Sequence, residues 1–253
     1  MDGSINGKGS LRFVNSNNPL SLKKYIIYYL TLIFTSFLCF QSFKLVNIED
    51  LRISGTDSIS KDEIIKNSSL LLPEKLILIK TKFHEKELKE NLSLKNISIK
   101  RQLFPFGLNL FLQARDPVAF AEFDNNDETI SGYVDAEGYF IYKEFAIIQK
   151  ELPSELRIIG WRKISREVIS KIINAYKGNK DLKVISISKK GFVMLEEKKF
   201  KKIFLGNQPK KIDLQLQLLF ELREQIKDKD LFEKIENLDL TDINNPYIKV
   251  FKP

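Results

Sequence analysis

Between residues 108 and 123, apolar and polar positions alternate, stop, and alternate again. Leu108, Leu110, Leu112 and Ala114 interleave with Asn109, Phe111, Gln113 and Arg115, the period-two pattern of a half-buried strand. Asp116-Pro117 interrupts the pattern, and apolar residues resume at Val118, Phe120 and Phe123. Proline has no N–H to give to a ladder and holds the residue before it extended. The chain therefore runs on while the pairing stops, and Asp116 and Pro117 are predicted to be a junction between two sheets.

The stretch before the junction divides into short elements. "LVNIEDLRISGTDSISKDEIIKNSSLLL" predicts a strand through Leu51 and Ile53, a turn at Gly55, and a helix start at Ser60. Ser60 and Glu63 have the S-x-x-E spacing in which each side chain satisfies an orphan N–H of the first helical turn. In "KFHEKELKENL", His84, Leu88 and Leu92 recur at i, i+4 and i+8, a narrow apolar stripe on a second helix. Ile97, Ile99 and Leu103 form a strand that "FPFG" turns into the next. The predicted order over residues 45–116 is β-α-α-β-β.

After the junction the pattern becomes richer in strands. "ISGYVDAEGYFI" predicts two strands around an Asp-Ala-Glu-Gly turn, and "KVISISKKGFVMLEE" a hairpin turning at 189–191. Ile164, Val168, Ile172 and Ala175 share one face of a predicted helix. "KKIDLQLQLLFELREQI" predicts a longer one, with Leu216, Leu219 and Phe220 inward and Ile226 closing the stripe. "IENLDLTDINNPYIKVFKP" predicts two short strands around Asn-Asn-Pro. The fold class is α+β.

In that final strand Tyr247, Lys249 and Phe251 point one way and Ile248 and Val250 the other. The apolar pair suits a core, which leaves two aromatics around a lysine outside, a composition that favours binding. Having at most one neighbour before it, the strand is expected at a sheet edge, where an unpaired backbone can recruit another chain.

A different pattern precedes all of this. "YIIYYLTLIFTSFLCFQSF", residues 25–43, carries no charge and as a helix extends about 28 Å, close to the thickness of a bilayer's hydrocarbon core. No small-x-small cleavage site follows it, so the reading is a retained transmembrane helix and not a signal peptide. Lys8, Arg12, Lys23 and Lys24 precede the helix, with only Asp2 against them. The excess of positive charge predicts a cytoplasmic N-terminus and extracytoplasmic domains beyond the helix. The tail, residues 1–24, is rich in Gly, Ser and Asn and is expected to be disordered.

Charge and rare residues narrow the chemistry. Of 41 basic residues 8 are arginine, leaving 33 lysines against 33 acids, and the lysines alternate with Glu and Asp as on a solvated surface. Nucleic-acid readers concentrate arginine among aromatics, so no nucleic-acid partner is expected. The chain has one histidine, His84, and one cysteine, Cys39 inside the apolar run, too few for a zinc site or a nucleophile–histidine couple. Phosphate-binding glycine motifs are missing from the sequence, and no metal, cofactor or small-molecule substrate is expected. Carboxylate-only chemistry remains open, with Asp135 and Glu137 as candidates and Trp161 as a sugar platform.

The β-α-α-β-β order, "ISGTDSISKDEI" and "LKENLSLKNISIKRQLFPFGLNLFLQARDPVAF" resemble a POTRA (polypeptide-transport-associated) domain. With the basic tail, the single apolar span, "VDAEGYFI", a strand ending in "LG" and the terminal "LDL…YIKV", the chain resembles the FtsQ/DivIB family of bacterial division proteins. The resemblance implies a tail at 1–24, a transmembrane helix at 25–43, a POTRA domain at 45–116 and an FtsQ-type β domain at 117–253. It further implies a non-enzymatic, single-pass plasma-membrane scaffold at the division site. Partners of FtsB/FtsL type would add to the strand Tyr247, Ile248, Lys249, Val250 and Phe251, and other division proteins would bind the POTRA domain. Lysine stands where relatives often carry arginine. A POTRA-based transport chaperone and a membrane-anchored cell-wall hydrolase are the alternatives.

Overall fold

The computed structural model describes residues 19–56, 59–125, 128–146, 155–177, 179–226 and 229–251. Helix α1, Pro19–Ser42, has one exposed apolar stretch long enough to cross a membrane, from Lys23 to Ser42. The expected irregular tail lies outside the described residues up to position 18, and from Pro19 to position 24 it is helical. Leu20, Lys23 and Lys24 carry no helix-breaking tendency of their own, so the apolar helix extends back through them.

Beyond α1 the small unit folds in the predicted sense. β1 (Leu45–Val46) pairs with β3 (Glu74–Lys75), while β2 (Leu51–Ser54), β5 (Phe106–Gln113) and β4 (Asn96–Leu103) form a three-stranded sheet with β5 in the centre. Helices α2 (Lys61–Lys66) and α3 (Thr81–Asn91) cover it. At the start of α2 the Glu63 N–H donates to Ser60 Oγ at 3.2 Å, and the Ser60 N–H donates to Glu63 Oε2 at 2.7 Å. Leu108, Leu110 and Leu112 of β5 enter a core with Leu51, Ile64, Leu88 and Ile99.

The large unit is built on one nine-stranded sheet. Its strands are β6 (Pro117–Asn125), β7 (Glu128–Asp135), β8 (Phe140–Tyr142), β9 (Arg157–Ile159), β10 (Leu182–Ile187), β11 (Val193–Glu197), β12 (Lys201–Gly206), β13 (Ile235–Asp239) and β14 (Tyr247–Val250). Their spatial order is β14-β13-β12-β11-β10-β9-β6-β7-β8. β9 lies parallel to both β6 and β10, and β12 parallel to β13, while the remaining pairs are antiparallel. Helices α4 (Arg166–Ala175) and α5 (Ile212–Gln225) pack against each other and on one face, and α6 (Lys229–Lys234) leads into β13.

Which face is covered departs from the apolar pattern in two places. On β6 the fully buried positions are Ala119 and Ala121, while Phe120 stacks edge-on against Tyr133. Alanine suits the helix-covered face because only a short side chain is needed there, and the larger ring takes the opposite side. On α4 the buried stripe is Val168, Ile169 and Ile172, continued by Tyr176. Ile164 is 88% exposed because residues 163–165 form a separate turn of 3₁₀ helix, which breaks the helical phase before α4 begins.

Candidate functional site: the outer strand and the junction

β14 is the last strand of the sheet, and β13 is its only partner among the described residues. Ile248 pairs with Leu238 and packs on the core, and Lys249 reaches Glu236 at 2.8 Å. That contact holds the Lys249 ammonium above its ordinary pKa, mainly through the hydrogen bond to Glu236. Tyr247 is 62% exposed, and the Phe251 ring lies 4.5 Å from the Lys201 ammonium. Val250 is also exposed, although its alternation with Lys249 suggested a core position. The register shifts between Ile235 and Asn237, where three residues of β13 face Lys249 and Val250, so simple alternation does not carry through to Val250. Tyr247 and Val250 of β14, with Phe251 just after it, thus stand exposed along an edge that pairs with no further strand among the described residues.

One buried glutamine holds the strands behind this edge. Gln215 on α5 is fully enclosed, and its Nε2 donates to the Leu205 and Leu240 carbonyls at 2.7 and 2.8 Å. These carbonyls end β12 and follow β13, so the helix clamps the two parallel strands at one point. The sequence signal is its position between Ile212 and Leu219, inside the apolar stripe and not on the polar face.

The junction contains chemistry that periodicity missed. β5 ends at Gln113 and β6 begins at Pro117, with Arg115 buried between them. Its Nη1 donates to Asp135 Oδ2 at 2.6 Å and lies 3.6 Å from Glu137. The guanidinium also sits 3.6 Å from the centre of the Tyr139 ring, and Arg166 sits 3.9 Å from the same ring. Arg115 stood among the outward residues of the alternating strand; pairing ends before it, so strand geometry no longer sets its direction.

The "DAEG" turn is built to receive it. Asp135 Oδ1 accepts from the Glu137 and Tyr139 N–H groups at 3.0 and 2.8 Å, which orients Oδ2 toward Arg115. Trp161 Nε1 donates to the Gly138 carbonyl at 3.0 Å, and Ser170 Oγ donates to the Ala136 carbonyl at 2.9 Å. Trp161 also packs on Phe123 and Phe140. Asp135 and Trp161 are thus structural parts of a turn. Two further contacts cross between the units: Lys95 reaches Glu137 at 3.4 Å, and Phe145 packs on the core of the small unit.

Elsewhere, Glu197 of β11 is enclosed between Tyr176 and Arg223, accepting from Tyr176 Oη at 2.7 Å and from Arg223. Burial pushes the Glu197 carboxyl above the ordinary range, and the Tyr176 hydroxyl and Arg223 partly offset this. The same burial, with Glu197 beside it, raises the Tyr176 phenol. No group of three or more His, Cys, Asp or Glu residues arranged to hold a metal ion occurs among the described residues. His84 is buried on α3 beside Glu87, and Cys39 is exposed on α1.

Residues 46–115 match the family model for the POTRA domain, FtsQ-type. This is the small unit, from the strand after α1 to the arginine that enters the turn. No curated protein matches the chain.

Proposed function

Starting from a chain of FtsQ/DivIB type, with an FtsQ-type POTRA domain behind a span-length apolar helix, we propose a non-enzymatic scaffold of the bacterial division machinery. One helix and an FtsQ-type domain fit a single-pass membrane protein. In this reading α1 crosses the plasma membrane with its basic N-terminal flank in the cytoplasm, and both folded units work outside. The observation that carries the proposal is the pairing of that POTRA domain with a large sheet whose outermost strand, β14, exposes Tyr247, Val250 and Phe251. A partner of FtsB/FtsL type adds a strand to β14, main-chain hydrogen bonds supplying affinity and the exposed side chains selectivity. Other division proteins bind through the POTRA domain.

A hydrolase reading finds less support, because Asp135 is committed to Arg115 and to two backbone N–H groups. A fluorescent fusion to the full chain tests the scaffold. A ring at midcell, with undivided filaments on depletion, is the expected result. Uniform membrane fluorescence with accumulated protein precursors on depletion would instead favour the transport chaperone.

A further inference from the structure

Two loop tips of the POTRA domain lie beside the end of α1. The Ile77 N–H donates to the Ser42 carbonyl at 3.2 Å and the Leu76 N–H to the Lys44 carbonyl at 3.1 Å, so the turn at 76–78 runs back along the helix. At the tip between β4 and β5, the Phe104 ring stacks on Phe37 of α1, with centroids 5.8 Å apart and planes 19° off parallel. Arg101 Nη2 donates to the Ile79 carbonyl at 2.6 Å and ties the tips together. Ile77, Leu78 and Phe104 are 46%, 59% and 56% exposed, an apolar surface left open by the described residues.

The depth of this surface follows from the helix. Phe37 precedes Ser42 by five residues, which places the Phe37–Phe104 stack about 7 Å inside the end of the apolar stretch at 1.5 Å per residue. Interfacial protein segments bury their apolar side chains about 5–10 Å into the headgroup and acyl boundary. Cations mark the outer edge of that stretch: the Lys44 ammonium is 5.8 Å from the Phe40 ring and 5.9 Å from Phe106, and the Lys75 ammonium is 6.0 Å from Phe43. Lysines in that position bury their stems and keep their heads among lipid phosphates.

We propose that the POTRA domain is seated on the bilayer itself, with Ile77, Leu78 and Phe104 inserted into the outer leaflet around α1 and Lys44 and Lys75 at the phosphate level. The occupant is phospholipid. A residue stacked on a membrane helix inside its apolar stretch shares the lipid environment of that stretch. The domain is then held in one orientation above the membrane, which fixes the direction in which the large sheet and β14 are presented. The proposal rests on α1 being a membrane span.

The test uses the full chain reconstituted in vesicles of phosphatidylethanolamine and phosphatidylglycerol, with Cys39→Ser as background. Single cysteines replace Leu78, Phe104, Leu32 in mid-helix, or Lys189 in the hairpin turn after β10, all exposed positions, and each carries an environment-sensitive dye. Dyes at 78 and 104 are expected to emit to the blue of the 189 dye, with quenching by lipids spin-labelled near the headgroup. They should be about fivefold less accessible to aqueous iodide than the 189 dye. The dye at 32 should be quenched by lipids spin-labelled deep in the chain. Iodide access at 78 and 104 equal to that at 189, with 32 still deep, overturns the seating alone and leaves that surface for a protein partner. Loss of deep quenching at 32 overturns the span and the seating with it.

Discussion

Arg115 and Asp135, 2.6 Å apart and both buried, join the POTRA domain to the large sheet. The pair lies where the chain passes from one sheet to the other, and Tyr139 packs its ring between Arg115 and Arg166. Two units joined only by a three-residue link would move independently; this contact, with Lys95–Glu137 and Phe145, gives them a shared interface.

Removing one member of a buried ion pair leaves the other charge uncompensated. Arg115→Ala should cost about 3 kcal/mol of stability. Arg115→Lys should recover little, because an ammonium lacks the planar face that stacks on Tyr139. Urea unfolding of the full chain in detergent, followed by Trp161 fluorescence, measures both. A cost for Arg115→Ala below about 0.5 kcal/mol would mean that the junction is not held by this pair.

Two glycines with positive φ separate backbone strain from steric contact. At Gly191, φ is +81° and an added Cβ would meet nothing within 4 Å, so Gly191→Ala should cost only the left-handed backbone, roughly 1–2 kcal/mol. At Gly138, φ is +79° and the Cβ would lie 2.2 Å from the Arg166 carbonyl oxygen. Gly138→Ala should cost at least about twice as much, and it should shift Trp161 emission to the red as the indole loses its partner at the Gly138 carbonyl. Equal costs at the two positions would show that the turn gives way freely.

Two carboxylates should give opposite pH slopes. Glu87 accepts from the Ser69 N–H and Oγ, both at 2.9 Å, and chiefly the backbone bond lowers its pKa. A lowered folded-state pKa contributes stability above the unfolded value, lost as pH falls through the folded one. Glu197 is raised by burial. Its folded state holds the proton more tightly, so its contribution is fully present below the unfolded pKa and lost as pH rises through the folded one. Relative to Glu87→Gln the wild type should lose stability on acidification. Relative to Glu197→Gln it should gain. Urea midpoints across the acid range, read as wild type minus variant, check both signs.

At the outer strand the side chains divide by what they touch. Ile248 packs on the core, so Ile248→Ala should lower stability. Tyr247→Ala with Phe251→Ala should leave the fold intact apart from the Lys201–Phe251 contact, worth about 0.5–1 kcal/mol. The pair should remove about 2 kcal/mol of binding to the proposed strand-adding partner, close to thirtyfold. Unchanged partner affinity in a titration, with circular dichroism unchanged, would move the site elsewhere.

What the sequence determined by itself was local and periodic. An uncharged run of bilayer length, the Ser60–Glu63 cap and the alternation of Leu108, Leu110 and Leu112 each depend on neighbours within a few residues, and each formed as its pattern implied. Periodicity states which residues share a face but not which face is covered. That was decided when α4 and α5 packed on the sheet, burying Ala119, Ala121 and Ile169 and leaving Ile164 in solvent. Arg115 and Gln215 were hidden for the same reason: their partners lie 20 and 25 residues away at Asp135 and Leu240. A buried polar side chain is determined by the distant group that satisfies it, and only the tertiary structure brings the two together.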